Sequence, residues 1–243
     1  MKKLFILFIA AATLFIYTGC GKSGSNKDPD YTCATCITKP EAKVANDASF
    51  KGVYKGVLIG STGTIKFDVN NSGTTITATM TIDGVTTTLT ATVIAQSGQN
   101  PAYISDFNGT LNGQPVTIKF SVGSGGQNPV VVSATVPGHT GITFVLVKET
   151  STALIEAFEG TYETTKPESG TFNIILSRKL ALWGALARKN GSTEVDNDAN
   201  GTISGDNLVR EGITIATISG DALAGEFTDG NNKKVTLNGK RTL

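Results

Sequence analysis

One histidine, one tryptophan, three cysteines and two methionines in 243 residues leave this chain little material for metal or redox chemistry. Charge is scarce as well: 17% of residues are charged, and 21 basic against 20 acidic side chains give a net charge of +1. Such a balance creates no field to steer a nucleic acid or an anionic membrane surface, which argues against nucleic-acid partners. Aromatic residues make up 7%, with Trp183 the sole indole, too few for an aromatic carbohydrate platform. No phosphate loop or dinucleotide fingerprint occurs. His139, the one residue that could act as a triad base, has no nucleophile-elbow sequence to accompany it. Asp68, Asp106 and Glu194 stand alone, so no acidic pair marks a strand end. Carboxylates for glycoside hydrolysis meet only in space, and that class stays open as the least favoured reading. The expectation is a non-catalytic protein.

Glycine, by contrast, reaches 28 residues, and threonine and serine recur throughout. That composition suits short strands and tight turns better than helices. Ile65, Phe67 and Val69 alternate with polar neighbours, as do Ile76, Ala78, Met80 and Ile82 between threonines. The same alternation runs through Val85 to Val93 and through Val116, Ile118, Phe120 and Val122. Period-two patterning over many short runs predicts half-buried antiparallel strands, about eight in the first half. Asp83-Gly84 and Asn112-Gly113 supply hairpin turns between them.

The N-terminus carries an address. Lys2 and Lys3 precede an apolar run from Leu4 to Tyr17, interrupted only by Thr13, and Thr18-Gly19 then lead to Cys20. This is the order of a secretory signal, and the run is short for a spanning helix. Tyr17-Thr18-Gly19-Cys20 resembles the lipobox of bacterial lipoproteins, with Tyr17 where that family usually has Leu. The resemblance implies cleavage after residue 19 and a lipid thioether on Cys20. It further implies outer-membrane localisation, because Gly21 replaces the Asp that favours inner-membrane retention; which face of that membrane stays open. Residues 20–49, rich in Gly, Ser, Lys, Asp and Pro, read as a lipidated flexible tether. Within it, Cys33 and Cys36 lack the βαβ setting of a redox motif and the following His of a haem site, so a small structural disulfide is expected after export.

Beyond the tether the chain repeats itself. Phe50-Lys51-Gly52-Val53-Tyr54 matches Phe158-Glu159-Gly160-Thr161-Tyr162, and Gly63-Thr64-Ile65-Lys66-Phe67 matches Gly170-Thr171-Phe172-Asn173-Ile174. A third pair is Asn108-Gly109-Thr110 with Asn200-Gly201-Thr202. Three matches in order suggest duplication. The fold class expected is therefore all-β: two tandem related antiparallel domains, 50–148 and 158–243, joined by residues 149–157 and built as small meander barrels or sandwiches. The Gly-x-Tyr strand followed by Gly-Thr-x-x-Phe is weakly similar to the opening of avidin- and lipocalin-like barrels, which implies the barrel form. Arg178 to Lys189 has helical propensity and a following Asn190-Gly191 stop, yet the repeat sets it against a strand, and strand is expected.

Two candidate sites follow. Asp196, Asp198, Asn200 and Thr202, with Gly201 at the sixth position, resemble the head of an EF-hand calcium loop, although Asn207 stands where a bidentate Glu belongs. An Asx-rich turn is the competing reading. The echoing loops Ser97-Gly98-Gln99-Asn100-Pro101 and Gly125-Gly126-Gln127-Asn128-Pro129 both follow even-numbered strands. That parity places Gln99, Asn100, Gln127 and Asn128 on one longer-looped rim, where a partner could dock. The leading functional expectation is a lipid-anchored envelope protein whose two β domains bind a ligand or an envelope partner; the alternative is a structural or adhesive spacer.

Overall fold

The computed structural model describes residues 31–60, 63–74, 76–91, 102–166 and 168–243. The signal segment, the lipobox with Cys20, and the rim residues Gln99 and Asn100 lie outside them. The fold is all-β. Eight antiparallel strands form the first domain: β1 (Gly52–Ile59), β2 (Gly63–Val69), β3 (Ile76–Ile82), β4 (Val85–Thr90), β5 (Tyr103–Leu111), β6 (Gln114–Val122), β7 (Val130–Thr135) and β8 (Thr143–Glu149). Eight more form the second: β9 (Glu156–Thr164), β10 (Ser169–Ser177), β11 (Leu182–Lys189), β12 (Asp196–Ser204), β13 (Asn207–Arg210), β14 (Ile213–Ser219), β15 (Ala222–Thr228) and β16 (Lys234–Arg241). Each domain is a meander whose eighth strand returns to its first, β8 to β1 and β16 to β9.

The second domain closes into a barrel, with seven residue pairs between β15 and β16. The first stops one ladder short: β7 and β8 are its edges and do not pair. The hairpins turn where expected. Asp83 and Gly84 have φ of 50° and 75°, and Asn112 and Gly113 have 50° and 78°, the paired positive values that match strand twist. Arg178–Lys189 resolves as a turn followed by β11, because Leu182–Lys189 is held between ladders to β10 and β12 that outweigh local helix propensity.

The repeated Phe-x-Gly-x-Tyr motif opens the first strand of each domain, but its glycine answers two needs. Gly52 sits at φ 128°, a backbone conformation closed to most side chains. At Gly160 a Cβ would lie 2.1 Å from the Asn238 carbonyl and 2.6 Å from the Phe172 ring, so the position is kept bare by close strand approach. The third motif pair is not topologically equivalent: Asn108 lies on the fifth strand of its domain and Asn200 on the fourth of the other.

Alternation decides the interiors. In β3, Ile76, Ala78, Met80 and Ile82 are buried while the threonines between them are half-buried. The first domain is filled by rings: Phe67 stacks on Phe120 at 4.4 Å, meets Phe107 edge-on at 4.9 Å, and Tyr54 lies 5.1 Å from Phe120. The second holds Phe158, Phe172, Leu208, Leu223 and Trp183, whose indole N–H donates to the Val209 carbonyl at 3.3 Å. Filled interiors of this kind match eight-stranded barrels, whose bore just accommodates side chains.

Two strands break the alternation. β1 is buried at all eight positions and β10 at both faces of its second half. Their outward residues face the other domain: Val57 and Ile59 pack with Ile155, Ala157, Ile175 and Leu186, and the Asn173 side-chain amide donates to the Leu58 carbonyl. The two domains thus share a third apolar core, side against side.

Residues 31–49, expected as part of a flexible tether, instead pack along this pair of domains. Tyr31 Oη donates to the Arg241 carbonyl at 2.8 Å, and the Cys33 amide donates to Asp221 at 2.9 Å. Further on, Ala42 and Asn46 are buried against the first domain. The correction has a physical cause: polar composition predicts few apolar contacts, but here backbone groups are held by charged side chains that the barrels supply.

Candidate functional site

Three places combine polar chemistry with burial: the seam under the N-terminal segment, the long-looped mouth of the first domain, and the groove between the domains. At the seam, Lys55 points outward from β1 yet is fully buried. Its Nζ lies 2.6 Å from Glu149 Oε2 and 3.3 Å from Glu41 Oε2. Glu149 is equally buried and also accepts from the amides of Glu41 at 2.6 Å and Ile155 at 3.1 Å. A buried ion pair is tolerable only when its remaining lone pairs are used in this way. Burial alone would raise the Glu41 carboxyl; Lys66 at 2.8 Å and Lys55 outweigh it and hold the group below its ordinary range.

A second network crosses the end of the second barrel where β10, β14 and β16 finish. Arg241 contacts Glu156 at 3.3 Å and Asp221 at 3.4 Å and donates to the Ile37 carbonyl at 2.7 Å. Arg178 joins Glu156 at 2.9 Å to Asp206 at 2.7 Å. Cys33 and Cys36 form a disulfide beside this network, with Cα atoms 5.3 Å apart. Both networks therefore do one thing: they fasten residues 31–49 to the two barrels.

The mouth of the first domain that carries the longer loops is covered by the same segment. Phe50 stacks on Tyr103 with centroids 5.6 Å apart, and the Tyr54 hydroxyl donates to the Phe50 carbonyl. Lys148 donates to the carbonyls of Asn46 at 2.8 Å, Asp47 at 3.2 Å and Ser49, and reaches Gly125 in the β6–β7 loop at 3.4 Å. Desolvation lowers the Lys148 ammonium, with Asp47 partly compensating. Gln127 and Asn128 are exposed on this rim. They stand beside a mouth that residues 46–50 already cover in part.

Between the domains lies an open groove of about 540 Å³, lined by Gly60, Asp83, Thr171, Arg188, Asn190 and Thr193 among others. Arg188 is committed to the Ser192 carbonyl at 2.5 Å, and His139 approaches Asp83 at 3.5 Å. Nearby on β9, Glu159 is pushed up to about 7, mainly by burial and then by the charge of Asp83, against a hydrogen bond from the Gly63 amide. Sequence reasoning missed Glu159, which joins Asp83 only through the packing of one barrel on the other. Asp83 lines the groove and Glu159 does not, so the two do not flank a common substrate space.

The Asp196 segment departs from the expected turn. Asp196–Ser204 is a nine-residue strand, laddered to β11 and β13. Alternate positions of a strand stand about 6.6–6.8 Å apart, so backbone positions 196, 200 and 202 are spread along β12. Among the described residues, no group of three or more His, Cys, Asp or Glu stands close enough to hold a metal ion. No family model matches this chain, and no curated protein or solved structure was found to match it.

Proposed function

We propose that this is a non-catalytic, lipid-anchored protein of the bacterial outer membrane, held through Cys20, whose two packed β domains, one a closed barrel and one a nearly closed one, meet an envelope partner with their outer surfaces. One observation carries the second half of that reading: both barrel interiors are filled with side chains, and the longer-looped mouth of the first is covered by residues 41–50. A small ligand would have no bore to enter, in contrast to the roomy barrels that hold one. The anchor itself rests on the lipobox-like Tyr17–Cys20 sequence.

The shared core of Val57, Ile59, Ile155, Ala157, Ile175 and Leu186 also favours the spacer reading, since it joins the two domains into a stiff unit. Fractionation tests the anchor: the wild type is expected in the membrane with a lipid-bearing N-terminal peptide by mass, and Cys20→Ser in the soluble fraction with an unchanged melt. A soluble, unmodified wild type overturns it. A thermal-shift panel tests the outer-surface reading. Strong stabilisation by a small apolar compound or sugar would mean that a barrel binds it after all.

A further inference from the structure

We propose that the hairpin joining β10 to β11 is a membrane-contact tip, seating Leu180 and Leu182 in the surface of the bilayer that holds the Cys20 lipid; this rests on the anchored reading above. Leu180 is 51% exposed and Leu182 54%, and among the described residues no other leucine is exposed. The turn is built to present them. Ala181 adopts φ 53°, a value rare for a residue with a Cβ, while its carbonyl accepts from Ile203 and the Leu180 amide reaches Ser177. Lys179 sits between Arg178 and Leu180, so a cation accompanies the apolar pair. Apolar side chains flanked by a basic one suit the headgroup boundary, where both parts find a partner.

What names the bilayer as occupant is where the described chain begins. Tyr31 is bonded to Arg241, Arg241 to Glu156, and Glu156 to Arg178 at the base of this hairpin. The anchored segment therefore enters at the same barrel end that carries Leu180 and Leu182. Eleven residue steps from Cys20 to Tyr31 span at most about 40 Å when fully extended. With residues 31–49 bound to the barrels, those eleven steps set the greatest distance between the lipid and this barrel end, about 40 Å.

The test uses the full lipidated chain reconstituted in phosphatidylethanolamine–phosphatidylglycerol vesicles. With Cys20 acylated and Cys33 joined to Cys36, an introduced cysteine is the sole free thiol. A polarity-sensitive dye at Leu180→Cys or Leu182→Cys is expected to lose emission to lipids spin-labelled near the headgroup. The same dye at Ile213→Cys, at the opposite end of that barrel and 42% exposed, is expected to keep it. Equal quenching at all three positions, or none at 180 and 182 in protein that floats with the vesicles, overturns the tip while sparing the anchor. Quenching at 180 and 182 by a dye on a second protein copy, without quenching by lipid, means that the tip packs against another copy, and also overturns it. Protein that fails to float and lacks the lipid mass overturns the anchor and the tip together.

Discussion

Glu159→Gln should stabilise this protein at alkaline pH and leave it unchanged in acid. The carboxyl is raised from 4.5 to about 7, chiefly by burial between the domains and secondarily by Asp83. The native state therefore holds a proton between those values that the unfolded chain releases. Stability from this group is full below pH 4.5 and is lost as pH rises through 7. At about 1.36 kcal/mol per unit, a rise of roughly 2.5 units costs about 3 kcal/mol once the group ionises. Glutamine removes that cost while keeping the shape, and gives up about 1 kcal/mol for the weaker bond from the Gly63 amide. The net gain at pH 8 is about 2 kcal/mol, or roughly 4–8 °C in Tm for a domain pair of this size. Urea melts of both proteins at pH 4.5, 6 and 8 measure it: the two curves should coincide at the first and diverge progressively. Equal stability at pH 8, or a difference already present at pH 4.5, would refute the assignment of Glu159 as a partly buried carboxyl that is costly to ionise.

Other consequences are as direct. Lys55→Met leaves Glu149 buried without its cation and should cost about 3–5 kcal/mol in urea unfolding. Phe67→Ala, at the centre of the ring cluster, should cost about 3–5 kcal/mol by the cavity it opens. Because Trp183 lies in the second barrel and the domains share a core, its fluorescence and far-UV dichroism should report one common unfolding midpoint; Val57→Asp should split them, and a wild type that already shows two midpoints contradicts the shared core. Calcium should leave the Tm unchanged with or without chelator, since the Asp196 segment is a strand; a rise abolished by Asp198→Ala would show otherwise.

Much of the architecture was legible in one dimension. Alternation in β3 and β6, the Asp83-Gly84 and Asn112-Gly113 turns and the repeated Phe-x-Gly-x-Tyr opening are local signals, because a strand's two faces and a turn's positive φ are set by neighbours in sequence. The lipobox-like order of charge, apolar run and small residues before Cys20 is a local pattern too, and it is what the proposed anchor rests on. Tertiary structure decided the rest. Burial of Lys55 and Glu149, and partial burial of Glu159, follow from one domain packing on another and on residues 31–49, and no period in the chain encodes it. The Asn-Asp run at 196–200 carries turn chemistry, yet ladders on both sides drew it into β12. Polar residues 31–49 read as tether because composition measures apolar content alone, while their order comes from ion pairs and backbone bonds with partners far along the chain. Local geometry is encoded by adjacent residues; which charges end up buried depends on surfaces that exist only once both barrels have formed.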